Sequence, residues 1–289
     1  MSWYEWSFAA AIGAAGRATS LYERIKPTPV RERRTVIPGL RLSRHWIESG
    51  ASRLDAVLVE PADRTGRPKP ARMTLLICHG IGEIVEWWLP VQRLLAEQGV
   101  ASLVFDYTGY GRSKGKISAR QLEDDAVAAF QYLEELKRGE PVSVLGFSLG
   151  TGVAAAAIRR MPAHRLVLAA GFPSFRKAAF HVGVPRSCRR LVPPVWRAEE
   201  SMRGVMLPVL VVHGENDQLF PVELGRELHA ACGEWAEWLL VPGQGHNQPF
   251  NQPTMHYWDP VLRWLVGDGL CPGRTGAAGG VGGRRIHLP

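Results

Sequence analysis

Between Val142 and Ile158 the chain passes from a β-branched apolar run to an alanine-rich one, with Gly146-Phe147-Ser148-Leu149-Gly150 at the junction. The first run reads as a buried strand and the second as a helix. A strand that turns at once into a helix strains the backbone of the turn residue and lifts its side chain off the sheet. Glycine two positions to either side removes the Cβ atoms that would otherwise block so close an approach. Ser148 therefore stands at a helix N-terminus, where unpaired N–H groups and the helix dipole favour developing negative charge. A nucleophile needs such a place.

Around this junction, strand-like and helix-like stretches alternate from residue 73 to 266. Met73–Cys78 and Val100–Phe105 are continuous apolar runs, as expected of central strands covered on both faces. Helices are expected over Pro90–Gln98, after a capping box at Ser118 and Gln121, and over Thr254–Val266. Arg165–Ala170, Pro208–Val212 and Trp238–Val241 supply further strands. Residues 35–59 are weakly strand-like, and Pro61–Pro70 is a polar turn, which makes an antiparallel start to the sheet. Such alternation gives an α/β fold: a mostly parallel sheet with helices on both faces. Phe172–Gly204 interrupts it as an irregular Arg- and Pro-rich insertion, a short cap.

Outside the domain over 35–266, the two ends read differently. Met1–Gly16 carries Trp3, Tyr4, Trp6 and Phe8 but is too short for a membrane span of about 20 residues. It reads as an amphipathic helix on its own domain, or as a peripheral membrane contact through the aromatics. Arg31–Arg34 follow as an exposed connector, and the Gly-rich 267–289 is expected to be a disordered tail. The net charge of +8 comes with no nucleic-acid motif, so no nucleic-acid partner is expected. Cys78, Cys188, Cys232 and Cys271 have neither metal-ligand nor disulfide spacing, which points to a reducing, cytoplasmic setting. Gly109-x-Gly111 lacks a phosphate-binding pattern, and no metal or cofactor is expected.

A serine hydroxyl needs an adjacent base, usually an oriented imidazole. Among nine histidines, His246 lies in the glycine-rich loop directly after the last strand, at the same sheet edge as Ser148. A carboxylate must then hold the imidazole tautomer. Asp217 follows the strand Pro208–Val212 at that edge; Glu215 is its rival, closer to the strand and turned to solvent. Asp106 also ends a strand there, but in a loop of structural character. The order is Ser148, Asp217, His246.

With that order in place, the sequence resembles the α/β-hydrolase superfamily over about residues 35–266, most closely the small serine esterases and acylglycerol-lipase-like hydrolases. The motifs are the His79-Gly80 loop, Asp106-x-x-Gly-Tyr-Gly-x-Ser113, the Ser148 elbow, and the Asp217 and His246 loops. The resemblance implies an oxyanion hole from the backbone N–H groups of Ile81 and Leu149, and a structural role for His79. Thr151 departs from it, standing where many relatives have glycine. The expected activity is hydrolysis of a small-molecule carboxylic ester or thioester with a short or medium apolar acyl group, through an acyl-enzyme on Ser148. Trp87, Trp88 and Phe172 are expected to wall the substrate cleft. Amide cleavage uses the same residues, and a binding protein on the same fold is the non-catalytic alternative.

Overall fold

The computed structural model describes residues 35–37 and 39–267. Its strands are β1 (Thr35–Ile37), β2 (Leu40–Ser49), β3 (Ser52–Pro61), β4 (Met73–Cys78), β5 (Val100–Phe105), β6 (Val142–Phe147), β7 (Leu166–Ala169), β8 (Val209–Gly214) and β9 (Ala236–Val241). They form one sheet in the order β1-β2-β3-β5-β4-β6-β7-β8-β9. The pairs from β1 to β5 across β2 and β3 are antiparallel, and the rest, from β5 through β4 to β9, are parallel. The sequence alternation agrees with the parallel part, because a parallel neighbour is reached by a crossover connection that is usually a helix.

The helices are α1 (Leu89–Glu97), α2 (Ala119–Lys137), α3 (Leu149–Ala157), α4 (Phe175–His181), α5 (Ala198–Met202), α6 (Val222–Cys232), α7 (Gln248–Asn251) and α8 (Met255–Val266). Every residue of β4, β5 and β6 is buried. Along β4 the side chains alternate: Leu76 and Cys78 join the core beneath α2, α3 and α6, whereas Leu75 and Ile77 join the core beneath α1 and α8. Covering both faces in this way removes each Leu, Val or Ile from water, a gain of about 1.5–3 kcal/mol per side chain.

Local signals explain the element ends. The Ser118 hydroxyl accepts the Gln121 N–H at 3.1 Å to start α2, as a cap should. The Gln121 side chain does not complete the box; it donates to Asp125 Oδ1 at 2.8 Å. Over 172–204 the chain is less irregular than expected, since α4, α5 and a 3-10 turn at Arg186–Arg190 form there. Pro173, Pro185, Pro193 and Pro194 all lie outside those three pieces, which keeps each piece short. The expectations for residues 1–34 and for 268–289 lie outside the described residues. Among the described residues no helix is long and apolar enough to cross a membrane.

Candidate active site

β6 and α3 meet at Ser148 with φ 52° and ψ −116°, a conformation that L-residues adopt only under constraint. The constraint is visible in the flanking glycines. A Cβ on Gly146 would lie 2.4 Å from the Gly150 carbonyl oxygen, and one on Gly150 would lie 1.9 Å from that of Cys78. The first turn of α3 is thereby pressed onto the end of β4, the neighbour of β6 in the sheet. The Ser148 N–H donates to Ala169 O at 2.9 Å, anchoring the elbow to β7 as well. Thr151 also finds its reason here: its hydroxyl donates to Ser148 O at 2.7 Å.

At the next loops along the same edge, β8 ends in Gly214 and β9 in Val241. Asn216 N donates to Gln244 O at 2.8 Å, so the two loops are clamped together. The clamp brings Asp217 and His246 side by side. His246 Nδ1 donates to Asp217 Oδ2 at 2.7 Å, leaving Nε2 to accept the Ser148 hydroxyl at 2.9 Å. Asp217 Oδ1 accepts the N–H groups of Leu219 and Phe220 at 2.9 and 2.8 Å, which fixes the carboxylate plane. Glu215 is exposed and accepts the Gly243 N–H at 3.0 Å, away from the imidazole. An open groove of about 580 Å³, lined in part by Asn216, Gln218, Asn247 and Gln248, begins beside His246.

Ile81 lies half-buried in the loop after β4, and Leu149 is the first residue of α3, whose N–H has no acceptor within its own helix. Two buried carboxylates shape the Ile81 loop. Glu83 Oε2 accepts Gly80 N–H and Trp88 Nε1–H, each at 2.8 Å. Asp106 Oδ1 accepts Val85 N–H at 2.9 Å. Burial, the dominant cause, pushes Glu83 up to about 7 and Asp106 up to about 8. His79 donates Nδ1–H to Gly80 O at 2.8 Å, and burial lowers its pKa to about 4. It is thus neutral, with Nε2 3.7 Å from Asp106 Oδ1 and its ring centroid 4.6 Å from that of Tyr107.

The three residues expected to wall the cleft separate. Phe172 is buried edge-on against Phe220 at 5.4 Å, and Phe220 in turn is edge-on against His246 at 5.2 Å, so Phe220 stands between Phe172 and the imidazole. Trp88 corrects the expectation. It is fully buried, stacked on Phe250 at 5.6 Å and edge-on to Phe147, within the core beneath α1 and α8. Trp87 is half-buried against that same core. A 3-10 turn at Val85–Trp88 sends the Trp88 indole into packing against Phe147 and Phe250 instead of into the cleft.

Four residues that the sequence analysis did not single out complete the picture. Glu83 is one. Phe220 is another, touching both Phe172 and His246. His213 is buried under the acid loop: Nε2 donates to Phe220 O at 2.8 Å and lies 3.5 Å from Asp217 Oδ2. Burial lowers its pKa and keeps it neutral there. Trp196 of the cap covers α3, where a Cβ on Gly152 would meet its ring at 2.8 Å. The sequence signal for the last of these is Gly152, an extra glycine in an alanine-rich helix that marks close packing.

A nucleophile elbow, imidazole and carboxylate at the carboxyl edge of a parallel sheet define a class of hydrolase fold. Comparison with known proteins agrees. The model of the family described as "Serine aminopeptidase, S33" matches residues 69–193, and that described as "TAP-like protein" matches 183–257. An uncharacterized protein of Mycobacterium tuberculosis is 33% identical over 196 residues, covering 66% of this chain and 69% of that one. The lysophosphatidylserine lipase ABHD12 of Danio rerio is 29% identical over 155 residues, covering 47% of this chain and 41% of its own length. A crystal structure of an alpha-beta hydrolase from Vibrio vulnificus superimposes with a TM-score of 0.65 at 23% identity, covering 78% of this chain and 81% of that one. The chain belongs to the α/β-hydrolase superfamily. These matches support hydrolase activity.

Proposed function

We propose that the protein is a serine hydrolase of carboxylic esters, with Ser148 as nucleophile, His246 as general base and then general acid, and Asp217 as the group that orients the imidazole. The observation that carries this is the unbroken chain from Ser148 Oγ to His246 Nε2 and from Nδ1 to Asp217 Oδ2, at 2.9 and 2.7 Å. In the first step His246 takes the hydroxyl proton as Ser148 Oγ bonds to the acyl carbon. Oxyanion charge develops near the N–H groups of Leu149 and Ile81; loss of one such donor typically costs about 2.7–4 kcal/mol of barrier. His246 then gives its proton to the departing alcohol, leaving the acyl group on Ser148. Water, deprotonated by the same imidazole, reverses the steps and releases the acid.

An apolar acyl group of short or medium length is proposed from the sequence, with Leu219 as the apolar side chain lining the groove beside His246. The lipase of Danio rerio, named for lysophosphatidylserine, supports an acyl-ester substrate. The family described as serine aminopeptidase favours a second reading, cleavage of an amide by the same residues. A panel of p-nitrophenyl esters of graded chain length, run beside an aminoacyl p-nitroanilide, separates the two. Ester turnover abolished by Ser148→Ala is the expected result. Turnover confined to the anilide would favour the amide reading, and turnover unchanged by Ser148→Ala would defeat both. Peripheral membrane contact through the aromatics of residues 1–16 is proposed as well, on sequence alone.

A further inference from the structure

The cap over 172–204 holds seven Arg and Lys residues against two Glu. Its cations fall into distinct groups. At its base Lys177 pairs with Glu227, Arg197 pairs with Glu200, and Arg176 donates to Val192 O at 2.9 Å. At the tip, Arg186 and Arg190 are exposed and have no ion-pair partner among the described residues. The tip is the excursion from α4 to Leu191, and it is stapled at its root because Arg176 on α4 bonds the carbonyl just beyond Leu191. Between 181 and 191 only Val184 and Cys188 are half-buried; the other described side chains are exposed.

Two of those exposed side chains are large and apolar. Val182 is 52% exposed at the end of α4, and Leu191 is 47% exposed at the end of the 3-10 turn, so they bracket the two arginines. A solvated basic face does not need them, and the two arginines without carboxylate partners call for an anionic counterpart. Apolar side chains beside uncompensated arginines suit a surface that is greasy within and anionic at its rim. We infer that the cap tip, Val182–Leu191, is a docking element for an anionic lipid bilayer, Arg186 and Arg190 meeting headgroups while Val182 and Leu191 enter the interface. The cap leaves β7 beside the Ala169 carbonyl that anchors Ser148, and Phe172 at its root reaches the His246 region through Phe220. Docking by the tip would therefore hold the hydrolytic edge against the membrane.

Co-sedimentation of the full chain with phosphatidylcholine vesicles, with and without phosphatidylserine, tests this. Binding should need phosphatidylserine and weaken as salt rises. Each basic residue near such a surface is worth a factor of about five, so Arg186→Ala with Arg190→Ala should weaken binding about 25-fold. Val182→Ser with Leu191→Ser should weaken it further at high salt, where the charges are screened. All four side chains are exposed, so these variants should melt with wild type and keep wild-type turnover of a short-chain ester; loss of binding is then not loss of fold. Because sedimentation needs no turnover, the result stands apart from the chemistry assigned to Ser148. No binding by wild type, binding indifferent to phosphatidylserine, or undiminished binding by both cap variants would overturn the inference. The last includes the case in which only removal of residues 1–34 releases the protein.

Discussion

The Ser148 elbow and the cap tip lie above the same sheet yet are built on opposite terms. At the elbow the backbone is pressed so closely that a Cβ on Gly150 would sit 1.9 Å from a carbonyl oxygen, and Ser148 is held at φ 52°. At the tip Gly183 has φ 96° with nothing within 4 Å of a Cβ built there, and the neighbouring side chains face water. Reacting atoms must be placed to within a fraction of an ångström, and only interlocked strands and helix ends do that. A surface that selects substrate or membrane needs no such fit. Change should therefore be costly in chemistry at the elbow edge and cheap in the cap.

The largest effect on that contrast should come from the acid. Asp217→Asn keeps the shape but offers the wrong partner to His246 Nδ1, and kcat should fall on the order of 10⁴ with the melting temperature little changed. Glu215→Gln, two residues away and exposed, should leave kcat within about twofold, since surface changes of this kind rarely matter. The reverse pattern in steady-state kinetics would show that Glu215 orients the imidazole.

Next in size is a pair of glycine substitutions read by thermal unfolding. Gly150→Ala forces backbone apart at the elbow and should cost about 1–3 kcal/mol or more of stability. Gly183→Ala meets open space and should cost only about 1 kcal/mol, the strain of a left-handed alanine. Equal costs would mean that the elbow is looser than its geometry states.

The last effect is electrostatic and is read as a change with pH. Glu83 has a folded pKa of about 7 against an ordinary value of 4.5, because burial disfavours its charge. Its stabilisation is complete below about 4.5 and is lost as pH rises through about 7. Asp106 has the same sign up to about 8, whereas His79, lowered to about 4, loses its contribution as pH falls from 6.5. The difference between wild type and Glu83→Gln isolates the one group. Melting curves across that range should show the variant gaining on wild type as pH rises, and a constant offset would refute the raised pKa.

Much of the hydrolytic edge was legible because its signals are local. Gly146-x-Ser148-x-Gly150 names its own backbone geometry, and Asp217 and His246 each follow directly after a strand, so fold order alone brings them together. Trp88 was not legible. Trp87 and Trp88 look alike in sequence, and only the 3-10 turn at Val85–Trp88 decides that one indole is sealed in the core. Glu83 was missed for a related reason: a glutamate after a glycine-rich loop reads as solvated until the Gly80 and Trp88 donors close on it. Leu224 and Leu228 of α6 recur at helical spacing, but two apolar positions alone are too weak a pattern to announce that helix. In the cap, prolines correctly signalled short pieces, but short pieces still formed helices where tertiary packing of Phe175, Ala198 and Met202 favours them.

The most direct measurement is titration of the folded protein with a fluorophosphonate, followed by mass spectrometry of the peptide that carries the adduct. An activated serine attacks the phosphorus centre, so wild type should take up one equivalent on Ser148. Ser148→Ala, with an unchanged melting temperature, should take up none and show no ester turnover. An adduct on another residue, or equal labelling and turnover in Ser148→Ala, would contradict the assignment of Ser148 as nucleophile.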